Sequence, residues 1–252
     1  MTFDSRQDSA TDKRAVVLVH DRDPALGRRN IGTLAPELES RGYRLDVHSF
    51  DYGHADTPPS LDDAGMVVVM GSPDAAYGES SWIGPEIDYL ERAIEKDVPI
   101  LGVCFGGQLL ARILGGTVTR SQFPEHGLTE TRSTRPDLIG PGPWMEYHDD
   151  TFVAPDTATV IASNSAGQQA FVHGRNLGLQ FHPEIDVDVF DSWADAWVRD
   201  GIEQDEDMVD AIRKDLVDNE ADLRARCAAL LDGWISCRPL PAAHYGGEHE
   251  LQ

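Results

Sequence analysis

Cysteine is scarce in this chain: Cys104, Cys227 and Cys237 are the only three in 252 residues. A small, odd number in a chain of this size argues against a disulfide framework and fits a reducing compartment, the cytoplasm. Lysine is as rare, confined to positions 13, 96 and 214, and 21 Lys+Arg against 44 Asp+Glu leave a net charge of −23. A surface that acidic repels phosphate backbones and anionic lipid, so neither nucleic acid nor membrane is expected as a partner. The same bias fits an Arg-rich, high-GC coding style or a salt-adapted surface, and composition does not separate the two. Long apolar runs are missing too. "MVVVM" (66–70) is strand-length, far below the roughly 20 residues of a membrane span, and the opening "MTFDSRQDSATDK" lacks the apolar stretch of a signal peptide. There is no internal repeat and no Walker-type phosphate loop. What remains is an ordinary globular composition, 40% hydrophobic and 26% charged, long enough for one large α/β domain.

The first half alternates strand and helix patterns. "RAVVLVH" (14–20), "RLDVHSF" (44–50) and "MVVVMG" (66–71) read as strands, the last buried on both faces. "NIGTLAPELESRGY" (30–43) reads as a helix ending near Gly42. "GPEIDYLERAIEKDVP" (84–99) is an amphipathic helix with Pro85 in its first turn and Ile87, Leu90 and Ile94 on one stripe. A strand over 99–103 and a helix through Leu109, Leu110, Ile113 and Leu114, stopped at Gly115-Gly116, follow. This order predicts a mostly parallel sheet with helices on both faces. Beyond residue 116 the pattern turns strand-rich in "GLTETRS", "ATVIASN", "QQAFVHG" and "LGLQFHP", and from 186 it is helical and acidic. The expected organisation is a disordered leader (1–13), a single domain (14–237, with 186–237 a helical extension) and a flexible tail (238–252).

"PILGVCFGGQLLARILGG" (99–116) passes from buried strand to helix, with Cys104 at the switch and glycines at 102, 106 and 107. Such a corner can hold its central side chain above the sheet in a strained conformation, the geometry of a nucleophile elbow. The positive end of the following helix favours a thiolate there, and the Phe105 N–H is free to donate to an oxyanion. Alone, the turn is balanced by the reading of Cys104 as a small buried hydrophobe. The second stretch, "LGLQFHPEI" (177–185), runs an apolar strand into His182-Pro183-Glu184. Residues i and i+2 of an extended segment point the same way, and Pro183 biases His182 towards extended backbone. Glu184 can therefore accept from one imidazole nitrogen while the other faces out, the makings of an activated cysteine nucleophile.

Together these stretches resemble the class I (triad-type) glutamine amidotransferases, most closely the stand-alone chains that look like the glutaminase part of GMP synthase. "GVCFGGQLLA" is similar to their nucleophile motif, "QFHPE" to their His-x-Glu motif and "MGSP" (70–73) to their oxyanion-strand Gly-Gly-Pro, with Ser72 where a second glycine is usual. The similarity runs from about residue 14 to at least 186. It implies an open, flavodoxin-like sheet, Cys104 as nucleophile, His182 as general acid/base and Glu184 as its orienting partner. It also implies an oxyanion hole from backbone N–H groups of Phe105 and of Gly71 or Ser72. Gln108 matches a residue lining the glutamine pocket. "EHGL" (125–128), with Gly127 and Leu128, resembles the segment whose backbone frames the substrate's α-amino and carboxylate groups. "YHDDTF" (147–152) resembles a His-x-Asp-x-Phe stretch that would bring His148, Asp150 and Phe152 near the pocket, although a polar loop also accounts for it.

The implied reaction is hydrolysis of the glutamine side-chain amide through a γ-glutamyl thioester, without metal or other cofactor. Because no phosphate-gripping loop or second sheet pattern follows residue 186, an ammonia acceptor is expected on a separate ATP-dependent synthetase. The alternatives are a stand-alone γ-glutamyl peptide hydrolase or transferase with the same triad, and a catalytically silent binding module, which the complete triad disfavours. Cys227 and Cys237 read as structural or incidental thiols, and His244 and His249 as a poor metal pair. Trp193 and Trp197, spaced i, i+4, read as a packing face, and "GIEQDEDMVD" as a solvated helix surface.

Overall fold

The computed structural model describes residues 13–21, 23–50 and 57–236. The tail, Cys237, His244 and His249 lie outside them, as does the expected leader apart from Lys13, which already belongs to the first strand. The elements in chain order are β1 (Lys13–Leu18), α1 (Pro24–Arg29), α2 (Leu34–Ser40), β2 (Tyr43–His48), β3 (Ala64–Val69), α3 (Ile83–Glu95), β4 (Ile100–Val103) and α4 (Phe105–Ile113). They continue with β5 (Thr117–Glu130), β6 (Arg132–Ser133), β7 (Pro143–Val153), β8 (Thr159–Ser163), β9 (Gln168–His173), β10 (Asn176–Leu179), α5 (Val187–Asp200) and α6 (Glu206–Ser236).

An eight-stranded sheet runs in the order β2-β1-β3-β4-β10-β9-β8-β6. Strands β2, β1, β3, β4 and β10 are mutually parallel, and β9, β8 and β6 extend the sheet by antiparallel pairing. Period-2 alternation explains how one short strand serves two cores. Ala15 and Val17 of β1 face a cluster closed by α2 and by Cys227, Leu230, Leu231 and Trp234 of α6. Val16 and Leu18 face the opposite cluster, closed by Tyr89 and Leu90 of α3 and Leu109 and Leu110 of α4. Each such Val or Leu, fully buried, contributes roughly 1.5–3 kcal/mol. This is the mostly parallel, flavodoxin-like architecture expected, with both faces covered. Strands β5 and β7 form a separate antiparallel ribbon. Met145 of that ribbon joins Val189 and Phe190 of α5 and Ile212, Leu216 and Leu223 of α6 in a third cluster. Among the described residues no helix is long and apolar enough to cross a membrane.

Four local expectations need correction. The helix over 30–43 is only α2, preceded by the unanticipated α1. Gly32 separates them with φ +55, and a Cβ there would lie 2.2 Å from the Glu184 carbonyl oxygen. Only glycine lets the chain pass so close. The buried stripe of α3 is Ile83, Glu86, Tyr89, Leu90 and Ala93, with Ile87 and Ile94 at its partly buried margins. Residues 147–152 are not a loop but the second half of β7. The charge run at 201–210 enters α6 only at Glu206, and its Met208 and Val209 pack against the third cluster.

Candidate active site

The carboxyl ends of β1, β3, β4 and β10 meet where the chain reverses its direction of winding, the place where open α/β sheets bind ligands. Each delivers one piece of the site: His20 follows β1, Gly71 follows β3, Cys104 follows β4 and His182 follows β10.

Cys104 has φ 50 and ψ −107, a conformation that strains a residue bearing a Cβ by about 1–3 kcal/mol. It is one of two non-glycine residues with positive φ among those described, the other being Asp97. Close packing of α4 holds it there. A Cβ on Gly106 would lie 2.2 Å from the Val69 carbonyl oxygen of β3, and one on Gly107 2.1 Å from that of Leu179 in β10. The Cys104 N–H donates to the Leu179 carbonyl at 3.0 Å and its carbonyl accepts from Gln108 N–H at 2.9 Å. The helix therefore starts at Phe105, whose N–H is among the orphan donors of a helix N-terminus.

His182 is 4% exposed and Glu184 1%. Nδ1 of His182 lies 2.7 Å from Oε1 of Glu184, which leaves Nε2 for the Cys104 thiol, its other side-chain hydrogen-bond partner. Burial alone would lower the imidazole pKa; the charges of Glu184 and Cys104 outweigh it and hold the value well above its ordinary level. The pair is fixed from behind, for Thr33 N–H donates to the Glu184 carbonyl at 2.9 Å. Trp193 of α5 presses edge-on against the His182 ring, centroids 4.8 Å apart. A Cβ on Gly71 would stand 3.1 Å from Cε1 of His182 and 3.9 Å from the Cys104 Cβ, so the "MGSP" stretch borders both. Ser72 uses its hydroxyl locally, accepting from Asp74 N–H at 3.1 Å.

Gln108 is buried on the first turns of α4 and donates to the Asp150 carbonyl at 3.1 Å, with Gln180 Oε1 at 3.5 Å. Gln180, in turn, places Nε2 3.9 Å from the Cys104 sulfur. His148 lies close enough to Cys104 for the two to interact electrostatically. Its Nε2 is 3.3 Å from Oε2 of Glu125 and 3.1 Å from Oε2 of Glu146, though the ring N–H is aligned on neither. Burial would lower the His148 pKa, but the two carboxylates push it up to about 10. Burial drives Glu146 the opposite way from an exposed carboxylate, up to about 7, with His148 opposing. These three side chains offer ligand atoms within 4.8 Å of one another, the one such group found among the described residues. A divalent cation could be held there, where sequence analysis expected no metal; the same geometry serves as a buried ion-pair cluster.

Gly127 and Leu128 sit less directly in the site. A Cβ on Gly127 would face Ile212 of α6 at 3.6 Å, and Leu128 packs into the helical cluster beyond the ribbon. Phe152 is core, edge-on against Phe171, while Asp150 accepts from the Tyr77 hydroxyl at 3.1 Å. Sequence reasoning missed Glu125 and Glu146 as partners of His148, Gln180 beside the thiol, Trp193 against His182, and the buried pair His20–Glu86. Gln180 was within reach, standing two residues before His182 on the same strand face. The others are brought in by pairing and packing between distant segments.

A sulfur, an imidazole–carboxylate pair and free backbone N–H donors around one opening can carry out acyl transfer. Residues 27–193 match the sequence model of the family "Glutamine amidotransferase class-I". The chain belongs to that family. It is thereby an enzyme of the cysteine-dependent amidotransferase kind. Among curated relatives, it is 35% identical over 150 residues to a separately encoded subunit of the glutamine-hydrolyzing GMP synthase of Sulfurisphaera tokodaii, covering 54% of this chain and 78% of that one. It is 34% identical over 127 residues to the glutamine-hydrolyzing GMP synthase of Mycobacterium leprae, covering 47% of this chain but only 23% of that protein. The match thus takes in most of the Sulfurisphaera polypeptide but less than a quarter of the Mycobacterium synthase. Among solved structures, a glutamine amidotransferase from Thermotoga maritima superposes with a TM-score of 0.78 at 24% identity, covering 90% of this chain and 99% of that one. One from Methylobacillus flagellatus superposes with a TM-score of 0.75 at 23% identity, covering 94% and 99%. Both likenesses establish the fold.

Proposed function

We propose that this chain hydrolyses the side-chain amide of glutamine and passes the ammonia to a separate ATP-dependent synthetase. The observation that carries the reading is the buried His182–Glu184 contact of 2.7 Å beside a cysteine held at φ 50 at the head of a helix. In the proposed reaction the Cys104 thiolate attacks the γ-carbonyl carbon. A C–S bond forms while the carbonyl electron pair moves to oxygen, which the N–H groups of Phe105 and of Gly71 or Ser72 receive. Collapse of this intermediate breaks the C–N bond, and protonated His182 supplies the proton with which nitrogen leaves as ammonia. His182, now neutral, takes a proton from water as the water attacks the thioester. Glutamate is released and the thiol regenerated. Glu184 orients the imidazole throughout, and Gln108 with the 125–128 segment holds the amino-acid end. The likeness to a polypeptide named for GMP synthesis supports a nucleotide-forming synthetase as acceptor.

The test is release of ammonia from glutamine by the purified chain, with γ-glutamyl peptides run alongside. Hydrolysis of glutamine, or labelling by a glutamine-analogue electrophile where turnover is slow, is the expected outcome. Turnover of γ-glutamyl peptides in clear preference to glutamine would contradict it in favour of a peptide hydrolase. The same reading takes 14–237 as one domain. A single cooperative unfolding transition is expected in calorimetry, and two separated transitions would contradict it.

A further inference from the structure

Behind the oxyanion strand lies a second histidine–carboxylate pair that the reaction above leaves unused. His20 and Glu86 have side chains 1% and 0% exposed. His20 places Nε2 3.0 Å from Oε2 of Glu86, and Nδ1 2.9 Å from the carbonyl oxygen of Gly71. A carbonyl can only accept, so Nδ1 carries the proton in that contact. Glu86 is held in the first turn of α3, where the positive end of the helix favours a carboxylate. The His20 ring also stands edge-on to Phe105, centroids 4.9 Å apart, and against Trp82 at 5.0 Å. One buried imidazole therefore touches both residues that flank the proposed oxyanion position, the backbone of Gly71 and the ring of Phe105.

The peptide unit supplies the link to chemistry. The Gly71 carbonyl and the Ser72 N–H belong to one planar trans peptide and point in opposite directions. With the carbonyl drawn inward onto His20, the Ser72 N–H is turned outward. It has no hydrogen-bond partner among the described residues, and both Gly71 and Ser72 are partly exposed. Rotation of this peptide would bury the donor and aim a carbonyl at the developing negative charge. Glycine at 71 offers little resistance to that rotation, so the restraint has to come from a neighbour.

We propose that His20, oriented by Glu86, is a positioning residue that pins the Gly71 carbonyl and so aims the Ser72 N–H into the oxyanion hole. The inference rests on the acyl-transfer reading of the site. Its test compares two reactions of Cys104 in the full chain. Acylation by a chromogenic γ-glutamyl anilide, followed in a single turnover, passes through an oxyanion; alkylation by iodoacetamide displaces iodide and does not. His20→Leu should slow acylation about 100-fold, the loss typical of one oxyanion donor, with KM shifted less than about threefold and alkylation less than about twofold. His20→Asn, whose amide nitrogen falls near the place of Nδ1, should recover at least about tenfold of that loss. His20→Gln, which reaches towards Glu86 instead, should not. Should His20→Leu fail to fold, the Asn and Gln variants decide the matter by themselves. A folded His20→Leu protein that acylates within about threefold of the wild type, or equal rates for Asn and Gln, overturns the inference alone. A wild-type protein that alkylates but never acylates overturns the functional reading, and this inference with it.

Discussion

The corner after β4 and the middle of α6 each carry a cysteine, and the two are almost equally hidden, Cys104 7% exposed and Cys227 0%. Cys227 sits among Leu230, Leu231 and Trp234 against the sheet, and burial pushes its thiol pKa up to about 12. It is a small hydrophobe that happens to contain sulfur. Cys104 differs in backbone and partners rather than in exposure. Its φ is 50, a helix begins at the next residue, and an imidazole anchored by a carboxylate faces its sulfur. Burial alone therefore says little about which thiol can react; local geometry and the neighbouring charge distinguish them.

The contrast is broken most severely at the corner itself. Cys104→Ala should lower the rate of glutamine or γ-glutamyl hydrolysis by about 10⁴-fold or more while the circular dichroism spectrum stays unchanged; wild-type turnover would refute the assignment. Next comes the anchored base. His182→Ala should cost about 10³-fold in kcat, and Glu184→Gln about tenfold less, because an orienting group leaves the acid/base in place. The reverse ranking, read from kcat at saturating glutamine, would assign Glu184 a chemical role of its own. The buried cluster beside the site should appear in stability. The His148 pKa is raised from its ordinary value to about 10, so its stabilising contribution is complete below about pH 6.5 and is lost as pH rises through 10. His148→Gln should thus destabilise by on the order of 3 kcal/mol at pH 6, since it leaves buried carboxylates without their cation. The gap between variant and wild type, measured by urea unfolding, should close towards pH 10; a constant gap would mean that His148 contributes by packing alone. Smallest of all, Cys227→Ala should cost about 1 kcal/mol through the lost sulfur contact and leave kcat within about twofold.

How much of this was legible in the sequence depended on how local the cause was. The parallel strands could be read because each is a short apolar run between glycines or polar turns, and the corner because its glycines surround Cys104. The His182–Glu184 contact followed from a two-residue spacing. Strand β7 was hidden because it buries Glu146 and His148, so polar residues occupy the positions where apolar ones mark a strand. Their partner Glu125 lies directly across the ribbon in register with His148, and no short-range pattern announces that pairing. His20 and Glu86 are 66 residues apart and meet only because β1 and α3 pack together. Gly32 looked like a helix-start residue until Glu184 arrived against it from the far end of the chain. Spacing reveals the group that reacts; the groups that hold it come from tertiary contact.

The most direct measurement is site-resolved labelling with a glutamine-analogue electrophile, read by peptide mass spectrometry on the full chain with and without millimolar glutamine (roughly −4 kcal/mol if binding is that weak). The account predicts modification of Cys104 alone, suppressed by glutamine, with Cys227 untouched. Label distributed over Cys227, or label on Cys104 that glutamine and γ-glutamyl compounds leave unchanged, would contradict it.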